Sequence, residues 1–361
     1  MNDPRYARWT WLVAADAAAQ REAQGRMTAI SHICIEGYVI DQHGELRPLA
    51  AKSAYGSGLE PGPRGGQGVR QVFISVRSAP GPIDGVAAWL DDGTARRRLL
   101  AGMLRLVEGG TWDGLELELR GAFPHLRDQF TVFAEELSWK LRQAGRQLAI
   151  TVAPQVRDPQ LDRLPEPDAP PSRWVEAYAA SFDYRALSVY ADLFLVRTLD
   201  HPQRPEALDP GQGPPWWSWA PAAVTPQGWL ESVIEHALLH VAPRKLLIAL
   251  PLYGREWCEG ERRARCVPLA ALSQRLAAVS EWSQEEDRMA GGRRYRYRDE
   301  EGRLCTLCID TPASLAEKAA LVARYDLGGL ALRRLGWGTA AVWEALERAL
   351  AMGGDGEPGD R

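Results

Sequence analysis

Thr111-Trp112-Asp113-Gly114-Leu115-Glu116-Leu117-Glu118-Leu119-Arg120 is the stretch on which the reading of this chain turns. Asp113-Gly114 is turn chemistry. After it, charged residues at 116, 118 and 120 alternate with leucines at 115, 117 and 119. A period of two is the period of a strand, so Glu116, Glu118 and Arg120 project from one face and the leucines from the other. One reading is an edge strand whose charged face is solvated. The other is a barrel strand, with leucines packed under helices and charges pointing into the barrel mouth.

The chain has 361 residues, enough for two ordinary domains or for one large α/β barrel with an insertion. A hydrophobic content of 45% supplies an ordinary core. The net charge of -4 gives no case for nucleic acid, which asks for a clustered basic face. Lysine is confined to Lys52, Lys140, Lys245 and Lys318, and arginine carries nearly all the positive charge. Met1-Asn2-Asp3-Pro4-Arg5 is polar, and Asp16 breaks the apolar run from Trp9 to Ala19, so no secretory signal is read. No apolar run approaches the roughly 18 residues of a membrane span.

Outward from the opening stretch, short apolar runs alternate with helical patterns. Strands are expected to begin near residues 8, 30, 72, 115, 148, 192, 245 and 328. On the second of them His32, Cys34, Glu36 and Tyr38 share one face. Helices are read over 16–26, 94–108, 129–144, 174–181, 225–240 and 339–352. Phe130, Phe133, Leu137 and Leu141 give the third its apolar stripe, and Pro226 stands in the first turn of the fifth. Ser314-Leu315-Ala316-Glu317 reads as a capping box opening a further helix. Residues 53–68, 154–171 and 202–224 are rich in Gly or Pro and read as loops, and 353–361 as a disordered tail. Residues 255–310 break the alternation and are read as an inserted α+β subdomain. Eight strands alternating with helices predict an α/β fold, a (β/α)8 TIM barrel over 1–352 with that insertion after strand seven.

In this order the motifs resemble glycoside hydrolase family 18, in its bacterial spore-cortex and germination, chitinase-like branch. Asp113 to Arg120 stands where the family has Asp-Gly-x-Asp-x-Asp-x-Glu. Ala191 to Asp200 resembles the strand ending Met-x-Tyr-Asp, and Leu250-Pro251-Leu252-Tyr253-Gly254 matches Pro-x-Tyr-Gly. Tyr297 to Lys318 resembles the insertion that closes on a Ser-x-x-x-Lys helix. Gly328 to Gly336 matches Gly-Gly-x-x-x-Trp-x-Leu-Gly. The resemblance implies substrate-assisted hydrolysis. The 2-acetamido oxygen attacks the anomeric carbon, the last Glu of the first motif protonates the leaving oxygen, and the Asp before it orients the acetamido group.

The departures fall on those positions. The acid position is Arg120, which cannot donate a proton at usable pH. The inner aspartates are Glu116 and Glu118. The acetamido-binding tyrosine is Leu199, its neighbouring methionine Arg197, and the tryptophan floor of the sugar subsite Arg333. Asp113 and Asp200 are unchanged. The candidate catalytic set is therefore Asp113, Glu116, Glu118 and Arg120. The candidate binding set is Glu36, Arg197, Leu199, Asp200, Trp217, Tyr253 and Arg333. Three readings stand open: arginines and glutamates close an abandoned site as an ion-pair network, a guanidinium stays free for an anionic ligand, or Glu118 serves as a displaced acid.

Cys258, Cys266, Cys305 and Cys308 lie in the insertion. Seven residues separate the first two, against the two to four usual for zinc, so unlinked or disulfide-bonded thiols are favoured. Trp216, Trp217 and Trp219 follow strand six, where they either stack on sugars or pack on the rim. The expectation is a catalytically silent, carbohydrate- or anionic-ligand-binding barrel, with no cofactor, metal or nucleic acid. It would be cytoplasmic or spore-associated and bind an N-acetylglucosamine-type glycan or an anionic sugar. An active N-acetylglucosaminidase and a structural coat protein are the alternatives.

Overall fold

The computed structural model describes residues 6–13, 16–26, 29–49, 71–79, 85–121, 123–166, 169, 171–201, 223–261, 264–287 and 291–352. From the N-terminus run β1 (Ala7–Val13), α1 (Ala17–Gly25), β2 (His32–Ile40), β3 (Leu46–Pro48), β4 (Gln71–Ser78), α2 (Gly85–Leu90), α3 (Gly93–Glu108) and β5 (Gly114–Glu118). Next come α4 (Arg127–Gln143), β6 (Gln147–Val152), α5 (Pro171–Ala180), α6 (Tyr184–Tyr190), β7 (Leu193–Val196), α7 (Gln227–Leu238) and β8 (Leu246–Pro251). A separate group follows: β9 (Tyr253–Cys258), β10 (Arg265–Pro268), α8 (Leu272–Ala277), β11 (Trp282–Asp287), β12 (Gly292–Arg298) and β13 (Leu304–Ile309). The chain then returns through α9 (Pro312–Arg324), β14 (Gly329–Arg333) and α10 (Ala340–Met352).

Strands β1, β2, β4, β5, β6, β7, β8 and β14 pair in parallel in that order, and β14 pairs back onto β1. The eight strands close a (β/α)8 barrel, each starting within two residues of the position expected from sequence. The short β3 adds to β2 as an antiparallel hairpin arm. Strands β10, β9, β13, β12 and β11 form a second, antiparallel sheet between β8 and α9. Among the described residues no helix is long and apolar enough to cross a membrane.

Alternation places the leucines. Leu115, Leu117 and Leu119 lie in the apolar layer between strands and helices, with Phe130, Phe133, Leu137 and Leu141 of α4. The barrel interior is filled by a smaller cluster: Trp9, Trp11, Cys34, Phe73, Ala149, Leu195, Leu199, Leu247, Ala249 and Ala331. Trp9 packs on Phe73 at 4.8 Å and on His32 at 5.9 Å between ring centroids. Burial pushes the His32 imidazole down to about 4, so it is a neutral part of this floor. Gly114 fits here because a Cβ would stand 2.3 Å from the Phe73 ring, so its role is close packing and not the turn expected from Asp-Gly.

Several local expectations are corrected. A register shift between Glu36 and Tyr38 bulges β2 at Gly37, where a Cβ would lie 2.2 Å from Ile74 Cδ1. The bulge turns Tyr38 away from His32, Cys34 and Glu36 into the outer layer. The helix after the insertion starts at Pro312, with Thr311 and Ser314 as its reciprocal cap, and not at Ser314 with Glu317. Ser314 and Lys318 instead converge on the buried Asp310, so the Ser-x-x-x-Lys spacing serves a buried ion pair. Pro226 is the N-cap of α7 and not a first-turn residue. Helix α6 was not read from sequence; at seven residues it shows little periodicity, and Asp183 caps it by accepting from the Ala186 N–H.

Candidate functional site

Along β5 the inward positions are Gly114, Glu116 and Glu118, in register with Phe73, Ser75 and Arg77 of β4. Packing thus gives way to polar groups on the climb toward the C-terminal ends of the strands. Glu116 is fully buried one layer below the mouth. Its Oε1 accepts from Trp11 Nε1 at 2.9 Å and Thr151 Oγ1 at 2.7 Å, and its Oε2 from the Cys34 thiol at 3.2 Å. Burial, with the neighbouring Glu118 charge, raises its pKa, and the hydroxyl and thiol donors oppose this.

Glu118 ends the strand in the opposite state. Burial pushes its carboxyl up, but Arg120 and Arg197 overcome this and hold it at about 2. Arg120 Nη2 bonds Glu118 Oε2 at 2.7 Å, and Arg197 Nε stands 3.3 Å from Oε1. The Arg120 backbone is clamped by Ser78, whose Oγ accepts from its N–H at 2.7 Å and donates to its carbonyl at 3.0 Å. Across the mouth Glu36 is shared by Arg77 at 3.1 Å and Arg333 at 2.7 Å. The Arg333 guanidinium also lies over the Trp11 ring, 5.6 Å from its centroid. Asp200, at a left-handed φ of 55°, accepts from Arg255 Nε and Nη2 at 2.9 and 2.7 Å and from the Tyr253 hydroxyl at 3.2 Å. Arg197 reaches its other oxygen at 3.6 Å.

The structure therefore brings Glu36, Glu118, Arg120, Arg197, Asp200, Tyr253 and Arg333 to one mouth, with Glu116 beneath. Asp113 is not among them. It precedes β5 at the opposite end of the barrel, where its Oδ2 accepts from the Val72 N–H at 2.8 Å. Asp192 makes the same bond to Leu148 N at 2.9 Å ahead of β7, so Asp113 acts as a strand tie. Leu199 is buried in the interior apolar cluster instead of lining an open subsite. Trp216, Trp217 and Trp219 lie outside the described residues.

Arg77, Arg255, Trp11, Thr151 and Cys34 were missed as site residues. Two of the signals were available: Arg77 is the inward position after Phe73 and Ser75, and Arg255 follows the Pro-x-Tyr-Gly match by one residue. Tyr178 of α5 also stands near Glu118, Arg120 and Arg197; burial pushes its hydroxyl up to about 12. In the insertion, Cys258 and Cys305 face each other across β9 and β13 and form a disulfide, while Cys266 and Cys308 are free thiols. That bond consumes one thiol of each close pair, so a four-cysteine zinc site does not form.

Five guanidinium groups (Arg77, Arg120, Arg197, Arg255 and Arg333) meet the carboxylates of Glu36, Glu118 and Asp200. Counting these groups alone, five positive charges meet three negative ones among the described residues, and burial with the Glu118 charge shifts the fourth carboxyl, Glu116, toward its neutral form. Arg77 Nε and Arg120 Nε are buried and have no hydrogen-bond partner among these residues. Such a mouth can receive anionic oxygens. Its ionised Glu118 can accept a proton or a hydrogen bond but has none to give at neutral pH.

A closed parallel barrel with charged side chains gathered at the C-terminal ends of its strands is the architecture of a (β/α)8 enzyme scaffold. The profile of Glycosyl hydrolases family 18 matches residues 84–335, and the chain belongs to that family. The cortical fragment-lytic enzyme of Bacillus subtilis (strain 168) is 24% identical over 264 residues, covering 71% of this chain and 54% of the relative. The enzyme of the same description from Bacillus anthracis is 20% identical over 282 residues, covering 76% and 58%. The chain thus spans little more than half the length of these curated relatives. Among solved structures, a chitinase from Chromobacterium violaceum superposes with a TM-score of 0.76 at 19% identity, covering 96% of this chain and 99% of that one. The spore cortex-lytic enzyme SleL of Bacillus megaterium QM B1551 gives 0.73 at 16% identity, covering 95% and 73%. At these identities the superpositions speak for the fold.

Proposed function

We propose that this chain is a non-hydrolysing member of the family whose barrel mouth binds an acidic glycan, of the kind in which N-acetylglucosamine alternates with a carboxylated sugar. The observation that carries it is the replacement of the acid by Arg120, whose guanidinium holds Glu118 ionised at the same strand end. Losing a general acid costs about 10²–10⁴ in rate. The floor and acetamido clamp are exchanged as well, for Arg333 and the buried Leu199. The uncompensated charge of the mouth favours a carboxylated over a neutral sugar. The relatives named for lysis of cortical fragments make spore-cortex peptidoglycan the glycan class to test, and a spore-associated setting goes with it.

Two measurements test this. Turnover of a fluorogenic N-acetylglucosamine oligomer and of cortex fragments is expected to stay at background. Turnover that Glu118→Gln abolishes would establish hydrolysis with Glu118 as a displaced acid. Calorimetry at low ionic strength is expected to show binding of muramic-acid fragments, weakened by salt and by Arg333→Ala, with neutral chito-oligosaccharides weaker. Equal affinity for both, or none for either, would overturn the acidic-glycan reading; the second result would favour a structural role.

A further inference from the structure

His236 and His240 stand four residues apart at the C-terminal end of α7 and in the turn beyond it, so both imidazoles leave on one side. Asp158, in the segment after β6, meets them there. Its Oδ1 lies 3.7 Å from His236 Nε2 and 3.2 Å from His240 Nε2. All three candidate ligand atoms fall within 4.8 Å of one another. Ligands about 2.0–2.1 Å from a tetrahedral zinc ion are roughly 3.3 Å apart, so the triad needs little adjustment to close on one.

Two further observations point to an ion. Both ring nitrogens of His240 are buried and make no well-directed hydrogen bond among the described residues, Nε2 having only the Asp158 carboxylate 3.2 Å away and Nδ1 no acceptor or donor, a costly state for a polar ring. Gln155 is held from behind: its Nε2 donates to the carbonyls of Ala179 and Phe182 at 2.7 and 2.9 Å, which aims its Oε1 at His236 Nε2, 3.4 Å away. In this arrangement Gln155 Oε1 accepts from His236 Nε2; once that nitrogen gives up its proton to ligate an ion, the fixed carbonyl stands beside the site as an acceptor for metal-bound water. His236 is only 6% exposed and Asp158 73%, so the imidazoles form a preset floor with an entry from solvent on the carboxylate side.

We infer that Asp158, His236 and His240 form a binding site for a divalent transition-metal ion, zinc before magnesium or calcium. Two imidazoles and one carboxylate select zinc over the oxygen-seeking cations. Water completes the tetrahedron and donates to Gln155 Oε1. Once bound, the ion ties the segment after β6 to α7 and, through Gln155, to the junction of α5 and α6. Its role is to brace that flank of the barrel.

The test uses the untagged chain, stripped with chelator and titrated with cobalt(II), in a Cys266→Ser background that removes the exposed thiol as a competing ligand. The expected result is one equivalent of cobalt with the visible absorption of a tetrahedral site, displaced by zinc, and a raised melting temperature. Asp158→Asn and His240→Ala are each expected to weaken binding by about tenfold or more, and Gln155→Ala by about tenfold. Asp158 is mostly exposed, so its variant keeps the fold, and a circular-dichroism spectrum checks this. Less than stoichiometric cobalt, an octahedral spectrum, or affinity unchanged in folded Asp158→Asn would overturn the site.

Discussion

Replacing Glu36 by Gln removes one charge from a place where two guanidinium groups depend on it. The carboxylate is shared by Arg77 at 3.1 Å and Arg333 at 2.7 Å, and an amide of the same shape leaves both cations without a counter-ion. Removing one partner of a buried ion pair costs about 3–5 kcal/mol. The Arg77 and Arg333 side chains keep 18% and 17% of their exposure, so water takes part of the load and the loss belongs at the lower end, about 3 kcal/mol. For a chain of this size that is a fall in Tm of roughly 6 °C, at about 2 °C per kcal/mol. The same change makes the mouth more positive. Phosphate or a muramic-acid fragment should therefore raise the Tm of Glu36→Gln more than that of the parent. Thermal and urea unfolding at low ionic strength, with and without the anion, read both effects. A loss below about 1 kcal/mol, the value of an exposed pair, would refute the reading of Glu36 as a shared buried counter-ion. An identical anion response in both proteins would refute the cationic mouth.

Glu116→Gln should keep the acceptor for Trp11 and Thr151. Burial raises the Glu116 pKa, so its contribution to stability is complete below the ordinary carboxylate range and is lost as pH rises through the folded value. The variant should gain on the parent as pH rises above the ordinary carboxylate range, as urea midpoints would show. Glu118 has the opposite sign: its folded value of about 2 gives stability that is present above roughly pH 4.3 and fades as pH falls toward 2, a dependence Glu118→Gln should lack. The Cys258–Cys305 bond closes a sequence separation of 47, which in the chain-entropy account stabilises by about 4 kcal/mol; comparing oxidised chain with a Cys258→Ala/Cys305→Ala double variant in urea measures it. Arg120→Glu should not restore turnover of a fluorogenic N-acetylglucosamine oligomer, because Leu199 and Arg333 stay in place; activity above about a hundredth of a typical family rate would contradict this.

The barrel was legible because its strands are written in period two and its helices in period three to four, as Leu115, Leu117 and Leu119 against Phe130 and Phe133 show. Pairing was less legible. Sequence placed Arg120, Arg197 and Arg333 on the lining against Glu116, Glu118 and Glu36, but it did not read Arg77, which shares Glu36 with Arg333, nor the bulge at Gly37 that turns Tyr38 out. Motif identity also misled at Asp113. An aspartate preceding an inward-alternating strand is placed by the backbone at the far end of the barrel, where the Val72 N–H needs an acceptor. Chain distance hid the rest: Arg255 meets Asp200 from another strand, and the Cys258–Cys305 partnership follows from the register of β9 against β13, which spacing does not encode.

The vertical order of charge in the barrel bears directly on chemistry. Hydrolysis of the kind the family resemblance implies needs a proton held at the end of β5, beside the bond to be broken. Here the end of β5 is under the positive potential of Arg120 and Arg197, which lowers the carboxyl of Glu118. The strand's other inward carboxyl, Glu116, is pushed toward its protonated form, but it lies a layer below the mouth, fully buried, with both oxygens already engaged by Trp11, Thr151 and Cys34. The proton and the opening are thus separated by the length of two residues of strand, about 7 Å. A group at that depth cannot reach a leaving oxygen without dismantling the floor formed by Trp11, over which the Arg333 guanidinium lies. Each arginine that stabilises the mouth also lowers any carboxyl placed there. On the reading proposed above, the network that would make the site hospitable to an acidic ligand is therefore the same one that would withdraw its acid.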